Sequence, residues 1–166
     1  GPHVSVTMNH YVKDLFAKCV KGEYEELAIK ATNFYKGHWI DHPAQTSLWQ
    51  IPEPLRTKCL ESFLEYANGK HTPPKNYEEW LHQSMGKVFA DTFAAAYTRK
   101  YWTCEPRDLD TDWIGQRVMR PKIDDVVNSA KGPLPKGMYF VADRSPRYPS
   151  HGGFLSYCHM LAEGAD

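Results

Sequence analysis

The sequence predicts a mainly α-helical fold with a small β component, an α+β arrangement in which helices dominate. Apolar residues recur at helical spacing in more than five stretches, three of them opened by a residue suited to capping. Strand character is confined to short runs near residues 27–41 and 138–143. Breakers gather between these stretches, as in the loop NGKHTPPK.

The opening GPHVSVTMN reads as extended, with Val4 and Val6 alternating. Asn9 is placed to cap a helix over 10–20 that carries Tyr11, Leu15, Phe16 and Cys19 on one face, and Gly22 ends it. A hairpin follows, with arms at 27–32 and 38–41 around a turn closing on Gly37. HPAQTSLWQIP is irregular. Pro52 and Pro54 open a helix over 53–67 with a stripe of Leu55, Cys59, Leu60, Phe63 and Leu64. Asn76 with Glu79 three residues on is a capping-box variant opening a third helix, which Gly86 breaks or bends. A helix over 86–100 brings Phe89, Phe93, Ala96, Tyr97 and Lys100 near one another. Asp110 or Thr111 caps a short helix carrying Trp113 and Arg117, and 123–130 is a further short helix. At the end, MYFVAD reads as a strand, SPRYPSHGG as a loop and FLSYCHMLAEG as a helix.

The chain has 166 residues, enough for one domain with a core. Lys plus Arg and Asp plus Glu each total 20, so the overall field favours neither nucleic acid nor an anionic membrane as partner. There is no apolar run of membrane-spanning length and no basic-then-apolar leader, so a cytoplasmic setting is expected. The four scattered cysteines form no C-x-x-C pair and read as reduced thiols. His38 and His42 have the spacing of a helical metal pair but fall in or beside a strand, where the helical i,i+4 geometry does not apply, and no metal site is expected.

Two constellations point to chemistry. In 94–110, AAAYTRKYWTCEPRDLD, two tyrosines, Arg99, Lys100 and Trp102 lie within six positions, near a helix end. Aromatic faces and hydroxyls there suit a sugar or base, and Arg117, after Trp113 and Ile114, suits a phosphate. The same aromatics at helical spacing are equally the pattern of a core, and terminal cations also complement a helix dipole. In YPSHGG, Gly152 and Gly153 permit left-handed backbone and close approach before a helix; a plain loop-to-helix turn has the same signature.

Five segments, taken in order, resemble UDP-galactopyranose mutases of the flavin amine-oxidase-like superfamily: GPHVSVTMN, HPAQTSLWQIP, the run from NYEEWLHQ to TRKYW, WIGQRV and RYPSHGGF. The resemblance implies the helical substrate domain of a two-domain FAD-dependent flavoenzyme, as an internal piece. Residues 1–9 would lead in from the FAD-binding domain, 10–135 would form the helical domain, and 136–166 would lead back. It implies isomerisation of UDP-galactopyranose to UDP-galactofuranose by attack of reduced-flavin N5 at the anomeric carbon. By position, Gly1, Pro2, His3, Gly152 and Gly153 would approach FAD, with His3 beside the isoalloxazine in a catalytic role. Gln45, Tyr97, Trp102 and Arg117 would bind the nucleotide-sugar, and Arg117 would also act in catalysis by gripping the diphosphate. Ala44 and His42 depart from the aromatic and tyrosine of the family pattern. The implied partners are a nucleotide-sugar, the remainder of the flavoenzyme and, as a further class, a second copy of the chain. Amine-oxidase-like and protoporphyrinogen-oxidase-like flavoenzymes share part of the pattern. From another class, a non-catalytic helical module for ligand binding or dimerisation also accords with the absence of a cofactor motif.

No G-x-G-x-x-G occurs in the sequence, so nothing in it cradles a dinucleotide diphosphate unaided. The purified chain alone is therefore expected to lose flavin on dialysis. A yellow sample that keeps its flavin absorbance would refute this.

Overall fold

In the computed structural model, residues 4–28, 30–115, 118–135 and 146–163 are described. Helices dominate and the strands form two small two-stranded sheets. The chain divides into two compact units: Gly1–Lys30 with Pro135–Asp166, and Ala31–Leu134. No helix among the described residues is long and apolar enough to cross a membrane.

In the first unit, Asn9 caps α1 (His10–Cys19) by accepting from the Val12 N–H. Phe16 packs on Tyr157 of α7 (Leu155–Glu163), with ring centroids 4.7 Å apart. Tyr11, expected on the packed face, is exposed, because the contact with α7 runs through Phe16. β1 (Tyr24–Glu26) pairs antiparallel with β4 (Arg147–Pro149), Glu25 opposite Tyr148. Residues 147–149 were expected in a loop. Their partner lies more than 120 residues away, and Arg147 fixes the pairing by bridging Glu26 and covering the Tyr24 ring. The packing of α1 on α7 also places α1 with this unit, whereas the helical domain was expected to start at residue 10. The strand expected at 138–143 lies outside the described residues.

The second unit begins with a hairpin, β2 (Thr32–Tyr35) and β3 (His38–Asp41). The first arm starts at Thr32, not Leu27. Its two-residue turn, Lys36 and Gly37, has both φ values positive (44° and 88°), which pairs Tyr35 with His38. Counting back from there, the ladder closes at Thr32 opposite Asp41, and Pro43 follows with no N–H to extend it. Gln50 then ties down the irregular segment that follows: its carbonyl accepts from the Asp41 N–H and its amide donates to the Asp41 carboxylate at 3.0 Å.

α2 (Leu55–Ala67) buries Cys59 and Phe63, and Leu55, Leu60 and Leu64 pack on the same core. α3 (Tyr77–Met85) starts with Asn76 accepting from the Glu79 N–H at 3.0 Å, while Glu79 reaches back to the Lys75 N–H. Gly86 ends α3 with φ 73°. α4 (Lys87–Phe89) continues into a π-helical turn, Ala90–Ala94, and then α5 (Ala95–Trp102). Thr103, in the left-handed region, closes α5. The helix expected around Trp113 is instead a single turn. Asp110 accepts from the N–H groups of Thr111 and Asp112, and Gly115, at φ 46°, leaves the helical region. α6 (Ile123–Lys131) packs on α2 and buries Val126.

The core joins Ile40, Leu48, Ile51, Cys59, Phe63, Leu81 and Phe89. Phe63 and Phe89 are buried, while Phe93 is half-buried between Phe89 and Tyr35. Phe63→Ala and Phe89→Ala should each cost about 3–5 kcal/mol in denaturant unfolding, and Phe93→Ala clearly less. Gly86→Ala should cost more than about 2 kcal/mol, since it adds a left-handed strain to a backbone clash. A Gly86→Ala protein as stable as wild type would contradict the packing of α4 on α2.

Candidate functional site

The end of α5 presents an aromatic surface. Tyr97 is 60% exposed, Tyr101 63% and Trp102 48%. The Tyr97 and Tyr101 rings stack in parallel, 5.5 Å apart and within 12°, as side chains four apart on a helix can. Trp102 stands edge-on to Tyr101 at 5.0 Å. From Trp102 the rings continue inward to Trp113 at 5.6 Å, then to Tyr77 at 5.0 Å and Trp80 at 6.0 Å. Arg120 covers Trp80 and donates to the Ser84 hydroxyl. Each pair adds dispersion and quadrupole attraction, so the exposed rings rest on a buried aromatic base.

Tyr77 is that base. Its ring is buried, its N–H donates to Leu109 O at 2.9 Å, and its hydroxyl lies against the Thr98 hydroxyl. Burial pushes the Tyr77 pKa up, and the Thr98 hydrogen bond offsets only part of the rise. Thr98 is itself held by donating to Ala94 O at 2.8 Å.

The charges near this surface are unevenly free. Arg99 Nε contacts both Glu105 carboxylate oxygens, at 2.8 and 3.0 Å. That pairing holds the Glu105 carboxyl below and the Arg99 guanidinium above their ordinary pKa values. Lys100 has no such partner among the described residues.

Of the residues singled out from the sequence, Tyr97 and Trp102 share this surface. Gln45 is half-buried in the turn Ala44–Thr46 and borders a core void of about 10 Å³ with Leu48, Cys59 and Phe89, too small for a ligand. Gly152 and Gly153 are in the first unit, with φ 72° and 68°, in the turn between β4 and α7. A Cβ on Gly152 would meet Ser156 Oγ at 2.4 Å, so that space is filled by the turn's own helix. Gly1, Pro2, His3 and Arg117 lie outside the described residues. Among those described, no three His, Cys, Asp or Glu side chains come together to hold a metal ion. Sequence reading passed over Tyr77, Trp80 and Trp113 as parts of the surface. Their signal, aromatics far apart in sequence, carries no spacing that announces contact.

No family model matches the chain. The fold is similar to that of a solved structure of reduced UDP-galactopyranose mutase, with a TM-score of 0.84 and 24% identity. The match covers 99% of this chain and 35% of that one, so the chain spans about a third of that protein's length. At this identity the likeness shows the fold.

Tyr77→Phe should keep the ring stack and lose one hydrogen bond, costing about 0.5–1.5 kcal/mol in unfolding free energy. Thr98 retains its own acceptor, so no buried donor is orphaned. A loss above about 3 kcal/mol would mean that the hydroxyl, not the ring, carries the base of the stack.

Proposed function

We propose that this chain forms the nucleotide-sugar-binding helical part of an FAD-dependent enzyme of the UDP-galactopyranose mutase type. The observation that carries this is the exposed run of Tyr97, Tyr101 and Trp102, seated on Trp113 and Tyr77, in a fold similar to that mutase. Large aromatic rings are left in water at a cost unless something covers them, and a flat, hydroxyl-bearing aromatic surface suits a nucleobase or a sugar face.

Under this reading Trp102 and the paired tyrosines stack on the nucleotide-sugar. Trp102 is held by its contact with Trp113 and the tyrosines by each other, which would lower the ordering cost of binding. Arg99 is spent on Glu105; the resemblance assigns the diphosphate to Arg117, whose planar fork would match it. Gln45, bordering the core void, is not needed for this reading. FAD is the cofactor implied, and it would supply the redox-neutral chemistry at the anomeric carbon. The glycine turn that the resemblance puts near the flavin, Gly152 and Gly153, lies in the other compact unit and is not needed for this reading. The chain's own part is to bind and orient the sugar nucleotide.

Calorimetry with UDP on the full-length protein tests this. Trp102→Ala should weaken binding by about 1–3 kcal/mol, the worth of one aromatic stack. Arg117→Ala should lose about 1.5–3 kcal/mol and Arg117→Lys should recover part of it. Affinity unchanged in all three variants would sink the reading. Turnover of UDP-galactofuranose under reducing conditions separates a mutase from an amine-oxidase-like enzyme.

A further inference from the structure

The aromatic surface exists because of a flaw in the helix that carries it. On an unbroken α-helix, the stripe through Ala90 would run on to Ala94, Tyr97 and Tyr101, at four, seven and eleven residues. Ala90 is 1% exposed, so Tyr97 and Tyr101 would turn toward the buried side. Instead, the Ala95 N–H donates to Ala90 O, five residues back, and the stripe slips by one residue. Ala95 and Thr98 are buried in place of Ala94 and Tyr97, Trp102 settles against Trp113, and both tyrosines are exposed. One residue is about 100° of helix rotation.

A π turn is rare because it spends one more residue per turn than an α-helix, and something must hold it. Asp91 lies inside the turn, and its carboxylate is gripped from two sides. His82 of α3 meets one oxygen at 2.7 Å, and Lys87 of α4 donates to the other at 2.7 Å. Partial burial pushes the Asp91 carboxyl up, but the Lys87 and His82 hydrogen bonds outweigh this and leave its pKa lowered. α3 packs on the π turn, and the His82 side chain is only 16% exposed, so the grip on that side is fixed to a second helix.

We infer that His82 and Asp91 are positioning residues: by holding the π turn, they set the rotation of α5 that turns Tyr97 and Tyr101 outward. This inference rests on the proposed nucleotide-sugar site only for what the outward face binds. The rotation itself is independent of any ligand.

The test is nitration of tyrosines in the full-length protein by tetranitromethane, mapped by mass spectrometry, beside calorimetry with UDP. In wild type Tyr97 and Tyr101 should both react. In Asp91→Ala and in His82→Ala, nitration of these two should fall by about tenfold and UDP affinity by about as much. Deleting Ala94 in the Asp91→Ala background should restore both, because Ala95 then falls four residues from Ala90 and the exposed face returns without the grip. Nitration at wild-type rates in both single variants would overturn the inference, as would a folded deletion variant that stays protected. Should the deletion variant not fold, the two single variants decide. Lowered nitration with unchanged UDP affinity would uphold the rotation and remove the ligand from this face.

Discussion

Gly86 lets the start of α4 lie directly on the backbone of α2, and the arrangement of the helical unit follows from that contact. A Cβ at Gly86 would fall 2.5 Å from Phe63 N and 2.6 Å from Phe63 Cα, inside any tolerable approach. The φ of 73° is also one that only glycine adopts cheaply. Two functions meet in this one residue: it ends α3, and it permits backbone-to-backbone packing. Ser62 completes the junction by accepting from the Val88 N–H at 3.2 Å. With α4 held there, Phe89 drops into the core beside Phe63, and the direction of everything after it is set.

The π turn acts on that fixed start. Upstream of it, burial follows Phe89 and Ala90; downstream it follows Ala95 and Thr98. The same turn places Phe93 between Phe89 and Tyr35, so the hairpin is fastened to the helix where the register changes. Packing and polar grip thus converge on five residues: Phe93 is held from one side by rings, Asp91 from another by His82 and Lys87.

Local signals made much of this fold legible. Asn9 and Asn76 cap as their side chains predict, the Lys36 and Gly37 turn sets the hairpin, and the stripe of α2 packs as its spacing requires. What escaped depended on partners far along the chain or on a change of period. β4 exists only because β1 pairs with it. The expected grouping of Tyr97 and Lys100 with Phe89 and Phe93 assumed 3.6 residues per turn throughout, and one inserted residue was enough to undo it. Nothing in ADTFA announces a π turn, and one of the two groups that grip Asp91 within it, His82, comes from another helix. Of the candidate site, the aromatic cluster was visible in the sequence, but its base of buried Tyr77 and half-buried Trp113 was not.

The charge pattern narrows what such a surface can recognise. With formal net charge zero, the chain exerts little long-range pull on an anion. Arg99, midway between the two exposed tyrosines, is paired with Glu105, which the left-handed Thr103 turn brings back beside it, and Lys100 next to Tyr101 is the cation left without such a partner among the described residues. A ligand held here is therefore selected first by ring and hydroxyl contacts, and charge enters through a few placed cations. A polyanion, whose binding would require many free cations, suits this surface poorly, which accords with the ligand proposed above. The grip on Asp91 belongs to the same economy: Lys87 is taken up by the Asp91 carboxylate, so the groups that hold the turn are engaged with one another and not with the exposed rings.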